Sequence, residues 1–173
     1  MNHRATAMAL AFALSLVAQA AYAAGDHAGG HDESAIGEPG KAANVNRTVQ
    51  VDMSDAMRYD PSSIAAKQGE TIRFVVKNSG KLKHEFVLGT AKELKEHYEV
   101  MKKFPEMEHA DANMVTVAPG TTGEVIWRFT KAGKIDFACL QPGHYDAGMK
   151  GLVSVAAGKA TAKEGDGHGN HKH

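Results

Sequence analysis

Apolar residues recur at every second position through the middle of the chain. Val49, Val51 and Met53 fall on one face of an extended segment, as do Ile72, Phe74 and Val76, then Val125, Trp127 and Phe129, then Ile135, Phe137 and Cys139. Successive side chains of a strand point to opposite faces of its sheet, so a period of two predicts half-buried antiparallel strands here. Further strands are expected at His84 to Leu88, Met114 to Val117 and Gly151 to Ala156. Asp60-Pro61, Gln68-Gly69, Asn78-Ser79-Gly80, Pro119-Gly120 and Ala132-Gly133 supply turn chemistry between them. Many short strands at such intervals, without alternating helices, predict an all-β fold. A two-sheet β-sandwich accounts for them better than a parallel α/β sheet.

One segment departs from the period of two. Thr90 and Glu93 form a capping-box signature, and Leu94, Tyr98 and Met101 then share one helical face. A single short helical insertion is predicted from Ala91 to about Lys103, stopped by Pro105. It can lie across an open edge or one end of the two sheets.

The ends of the chain read differently. His3 and Arg4 open a short polar stretch, Ala5 to Ala18 is an almost unbroken apolar run, and Ala21-Tyr22-Ala23 fits a small-x-small cleavage site. Residues 1–23 are therefore expected to be a secretory signal cleaved after Ala23, the apolar run Ala5 to Ala18 being shorter than the roughly 20 residues a spanning helix needs. The mature chain is then expected outside the cytoplasm, in the periplasm, with no membrane span. Residues 24–44 and 157–173 are rich in glycine and poor in large apolar groups, and they carry His27, His31, His168, His171 and His173. They are expected to form a flexible leader and a flexible tail around one domain at residues 45–156.

Composition narrows the function. Twenty basic residues balance 20 acidic ones and the pI is near 7.2, which removes the electrostatic footprint of a nucleic-acid binder. A single cysteine excludes an internal disulfide framework and any CxxC redox or zinc motif. In an oxidising compartment a lone thiol calls for an occupant, and a metal is the simplest one.

Cys139, His144 and Met149 follow one another at intervals of five residues, just after a predicted strand. All three are soft or borderline ligands, and Pro142, Gly143 and Gly148 permit the tight backbone path that would fold them around one ion. A second imidazole must come from elsewhere. His84 suits the role because it follows the Asn78-Ser79-Gly80 turn, opens a strand and is the one upstream histidine inside a predicted β segment. Two His and one Cys with a weak axial Met are the ligands of type 1 copper, suited to one-electron exchange between Cu(II) and Cu(I). Cys139 as an ordinary buried residue, or as a nucleophile paired with a histidine, are the alternatives at this point. Neither uses Met149.

These residues resemble those of the cupredoxins, or blue copper proteins, Greek-key β-sandwiches that include plastocyanin, azurin and rusticyanin. The resemblance spans Val45 to Ala156 and rests on the strand Ile135 to Cys139, the Cys-x4-His-x4-Met loop, its Gly148-Met149-Lys150-Gly151 ending, and His84 at the head of an earlier strand. It implies one copper ion with His84, Cys139 and His144 equatorial and Met149 axial. The loop spacing is more like rusticyanin's than plastocyanin's. Glu85 stands where plastocyanin and azurin have Asn, a departure that bears on the hydrogen bond bracing the ligand loop. The small apolar groups around His144 (Leu140, Pro142, Gly143, Ala147 and Gly148) resemble the family's docking patch for a redox partner. The Met and His residues of the insertion and the His-bearing ends resemble the periplasmic copper-tolerance cupredoxins.

The function expected is a monomeric, exported one-electron carrier in copper tolerance, not an enzyme, working with a redox partner or a copper-handling protein. The alternative is a periplasmic copper sequestration or delivery protein without an electron-transfer partner. A second copper site is a further candidate, since Glu93, His97 and Met101 lie at i, i+4 and i+8, with Met107, His109 and Met114 nearby. Its competitor is core packing, the usual work of methionine. Met53 and Met57 are expected to pack in the sandwich, and Lys77, Lys81 and Lys83 to form a solvated basic turn.

Overall fold

The computed structural model describes residues 33–158 apart from 106, 108 and 109. Ten strands form two five-stranded sheets. They are β1 (Glu38–Pro39), β2 (Arg47–Ser54), β3 (Arg58–Asp60), β4 (Ser63–Lys67), β5 (Thr71–Asn78), β6 (His84–Gly89), β7 (Met114–Val117), β8 (Thr122–Arg128), β9 (Gly133–Ala138) and β10 (Lys150–Ala156). Two helices, α1 (Glu33–Ile36) and α2 (Ala91–Lys103), complete the elements that matter here. The first sheet runs β1-β8-β5-β2-β3 and the second β4-β10-β9-β6-β7, a Greek-key sandwich as expected.

The alternating positions meet between the sheets. Val51, Met53, Phe74, Val76, Val125 and Trp127 of the first sheet pack against Phe86, Leu88, Ile135 and Phe137 of the second. Tyr59 joins them edge-on to Phe86 and Phe137. Met53 and the partly buried Met57 belong to this core, as predicted.

Strand direction differs from the expectation in two places. β2 runs parallel to β5 and β4 runs parallel to β10, while the other pairings are antiparallel. A period of two reports the face a side chain takes and carries no information on direction, so both arrangements satisfy the same pattern. β3 and β4 were not predicted. The first has three residues, and the second presents only Ile64 and Ala66 inward.

The leader is also partly folded, in contrast to the expectation for residues 24–44. Ile36, its only large apolar residue, is buried in the core, the Trp127 indole donates to the Ile36 carbonyl at 2.9 Å, and β1 pairs with β8. One buried isoleucine, worth about 2 kcal/mol, together with these hydrogen bonds offsets the ordering of so short a segment. Residues 1–32 and 159–173 lie outside the described residues, so the expected signal segment and the histidines at both ends do too.

Helix α2 lies where Thr90, Glu93, Leu94, Tyr98 and Met101 place it. The capping box is complete, with Thr90 Oγ1 accepting from Glu93 N and Glu93 accepting from Thr90 N. Its apolar face covers the outer side of the second sheet, where Leu94, Tyr98 and Met101 meet Val87, Ala138 and Leu140. β6 is consequently buried along its whole length, its inner residues in the main core and Val87 under the helix.

The sandwich has two distinct poles. At one, β6 begins with His84, β9 ends beside Cys139 and β10 begins at Lys150, paired with Ala138. At the other, β1 pairs with the last residues of β8, and β10 runs out toward Lys67 and Gly133.

Candidate metal centre

His84 is delivered by a turn that the sequence builds with polar side chains. The Asn78 amide donates to the carbonyls of Leu82 at 2.8 Å and Val117 at 2.9 Å, and its oxygen accepts from Gly80 N. This ties the turn to β7 and points the first residue of β6 inward. His84 is fully buried. Its Nε2 lies 3.1 Å from Asp55 Oδ1, in the turn between β2 and β3, which leaves Nδ1 to face the opposite way.

Cys139 stands one residue beyond β9, where a fifth strand residue was expected. It is held by pairing with the far end of its own loop, Cys139 N donating to Met149 O at 3.1 Å and Met149 N to His144 O at 3.0 Å. Gly143 and Gly148 take φ values of 85° and 89°, the left-handed region that side chains with a Cβ avoid, so the predicted role of these glycines holds. The loop is a set of closed turns that brings His144 back over Cys139.

The three donors meet. His84 Nδ1 is 3.2 Å from His144 Nδ1, Cys139 Sγ is 3.3 Å from His144 Nδ1, and the donor atoms of all three residues lie within 4.8 Å of one another. Among the described residues this is the group of His, Cys, Asp and Glu donors so placed. His84 and Cys139 are buried and His144 is partly exposed. Met149 is fully buried in the core beneath the loop.

Further contacts brace this end, and their partners were not visible in the sequence pattern. Glu85 is buried, its N–H donates to Cys139 Sγ at 3.3 Å, and its Oε1 accepts from the Gln141 amide at 2.5 Å and from Thr116 at 3.4 Å. Glu85, which stands where the family has Asn, therefore clasps the ligand loop through Gln141. Helix α2 adds a strut. Tyr98 donates to Asp146 Oδ2 at 2.9 Å, accepts from Gly143 N at 2.9 Å, and stacks on Tyr145 at a ring separation of 5.0 Å. Arg58 reaches the Ala147 carbonyl at 3.1 Å from β3. The helical stripe identified Tyr98 as apolar; its hydroxyl carries the work at the loop.

Electrostatics follow from burial. The Cys139 thiol is pushed up to about 12, chiefly by desolvation, against the lowering effect of the Gln141 and Glu85 main-chain N–H groups. His144 is lowered, first by desolvation and then by the neighbouring His84. Asp55 is lowered, first by the Lys81 N–H and then by Leu82 and His84 acting against burial. Without metal, the site holds a protonated thiol and a neutral His144 near pH 7.

One thiol and two imidazoles with no carboxylate among them suit a soft or borderline ion. A hard cation such as magnesium or calcium seeks oxygen. The donor set fits copper.

Among the described residues no other group of His, Cys, Asp and Glu donors converges in this way. Met101 and Met114 are buried in the cluster beneath α2, so they pack, while Met107 is exposed and His109 lies outside the described residues. Leu140 is fully buried under α2 and therefore not part of the surface around His144, where Pro142, Gly143 and Ala147 are exposed.

Comparison with known proteins agrees with this geometry. A copper-resistant cuproprotein, CopI, of Rubrivivax gelatinosus is 51% identical over 152 residues, covering 86% of this chain and 92% of that protein. Another copper-resistant cuproprotein CopI, from Pseudomonas aeruginosa, is 39% identical over 150 residues, covering 70% of this chain and 82% of that protein. A dithionite-reduced auracyanin from the photosynthetic bacterium Roseiflexus castenholzii superposes with a TM-score of 0.56 at 22% identity, over 65% of this chain and 98% of that one, which is a likeness of fold. The family model described as copper binding proteins, plastocyanin/azurin family, matches residues 45–156. The chain belongs to the plastocyanin/azurin family of copper-binding proteins.

Proposed function

We propose that this chain is an exported copper protein of copper resistance that carries single electrons through a mononuclear type 1 site. His84, Cys139 and His144 would be the equatorial ligands and Met149 the axial one. The observation that carries the reading is the meeting of two imidazole Nδ1 atoms and one thiol, 3.2 and 3.3 Å apart, between the head of β6 and a clasped loop. The names of the relatives, copper-resistant cuproproteins, support the place in copper resistance.

Copper, when bound there, supplies a Cu(II)/Cu(I) couple. Each residue has a defined part in serving it. Cys139 gives up its proton on loading, since the thiolate is the ligand form. The Glu85 and Gln141 N–H groups remain to stabilise the charge on sulfur. His84, sealed from water, keeps solvent from the inner side, whereas the partly exposed His144 offers an edge to a partner. The clasped loop limits rearrangement between valences. Export is supported by the pattern of residues 1–23, with cleavage after Ala23, and among the described residues no helix is long and apolar enough to cross a membrane. The partner would be a redox or copper-handling protein, and no substrate is turned over.

A second reading, sequestration or delivery without an electron-transfer partner, draws on the nine histidines and six methionines that follow residue 23, most of them outside the site. Copper titration separates the two. A carrier takes one copper with an intense thiolate-to-copper band and exchanges electrons reversibly with a soluble redox mediator. Several tightly held ions, or a colourless Cu(II) complex, would overturn the carrier.

A further inference from the structure

Asp55 touches no metal in this reading, yet it is the most completely built polar contact around His84. Its carboxylate accepts from Lys81 N at 2.8 Å and Leu82 N at 3.2 Å, and the same Oδ1 lies 3.1 Å from His84 Nε2. The turn makes room for it. A Cβ on Gly80 would come within 2.0 Å of Asp55 Oδ1, so glycine at position 80 is what admits the carboxylate. Lys81 N and Leu82 N both donate to this carboxylate, which stands as an acceptor toward its neighbours. The proton between the two groups therefore sits on Nε2. In the neutral ring this frees the lone pair of Nδ1, on the side where His144 and Cys139 lie.

We infer that Asp55 is a positioning residue for the copper site: it fixes His84 as the Nε2–H tautomer, and its negative charge favours Cu(II) over Cu(I). The inference rests on the ligand set proposed above. A carboxylate bonded to the far nitrogen of a ligating histidine orients the ring and makes it a stronger donor, and loss of such a partner commonly costs 10–100-fold in metal affinity. The Asp55 side chain is 37% exposed, so water screens part of its charge and the lower end of that range applies.

Asp55→Asn tests the charge, because it keeps the shape and an accepting oxygen. Cu(II) affinity should fall about tenfold with Cu(I) affinity nearly unchanged, which raises the reduction potential by about 59 mV while the thiolate-to-copper band is retained. A merely structural role would lower thermal stability without a directed change in potential; an unchanged or lowered potential overturns the charge assignment. The tautomer is read without copper, from imidazole nitrogen shifts of the metal-free protein. His84 should carry its proton on Nε2 in the wild type and become mixed in Asp55→Ala and in Gly80→Ala, which displaces the carboxylate. A wild-type proton on Nδ1 overturns the positioning role. Failure of the site reading is separate, since it would show as a wild-type protein lacking the thiolate band whatever the tautomer.

Discussion

Two candidate groups lie in this domain, and the side chains described in each have different surroundings. Around Cys139 the side chains converge: His84, Cys139 and His144 turn their donor atoms toward one point, with Met149 buried below. Along α2 and into β7, Met101 and Met114 are taken up in packing against Val87, Ala138 and Leu140. The residue types are similar, and the supports differ. The first group is held by polar contacts from β3, β6, α2 and the loop itself, whereas the second follows an apolar stripe that any core helix would show. Ligand chemistry in a sequence marks candidates, and convergence decides among them.

The sharpest way to break that contrast is Cys139→Ser. The substitution should abolish the intense visible band of the Cu(II) protein altogether, as read by titration with visible and paramagnetic-resonance spectra. A surviving band would place the copper elsewhere, with the second group as the first suspect.

The metal-free protein should lose a few kcal/mol of stability as pH rises from 9 to about 12. The sign follows from the raised thiol: the folded state holds this proton more tightly than the unfolded chain. The contribution is complete below the unfolded value near 9 and disappears as pH climbs through the folded one. Denaturant titrations across that range, on metal-free wild type and Cys139→Ala, isolate it, and equal slopes in the two would contradict the burial assigned to the sulfur.

Met149→Leu should keep the colour and raise the potential, since a thioether leaves and an apolar group of similar volume enters. Failure to bind Cu(II), or a lower potential, would remove Met149 from the axial position. Tyr98→Phe deletes one donated and one accepted hydrogen bond at the loop and should cost about 1–2 kcal/mol, with faster copper release measured by chelator competition. Met101→Leu is the weakest perturbation. It should cost less than about 1.5 kcal/mol in a thermal or denaturant melt and leave copper stoichiometry unchanged. A lost equivalent of copper would give the second group a metal after all.

The parts that were legible in the sequence are those whose signal is local. β2, β5 and β8 alternate cleanly, the capping box starts α2 at Thr90, and three proposed ligands lie within eleven residues of one loop. What escaped depends on distant pairing. The parallel neighbours of β2 and β4 leave no trace in a period of two, and β3 is too short to have a period. Ile36 looked stranded in a polar leader because its receiver, Trp127, is 91 residues away. Asp55, the Glu85–Gln141 clasp and the Tyr98 hydroxyl are polar groups whose partners come from other elements, so no short window of sequence contains both halves of any of them.

The separation of the sandwich's two poles has a geometric outcome. Among the described residues, β1 and the end of β10 lie at the same side of the molecule, and the ligand loop occupies the other. The first and last described strands thus run out behind the domain, on the side away from the rim around His144.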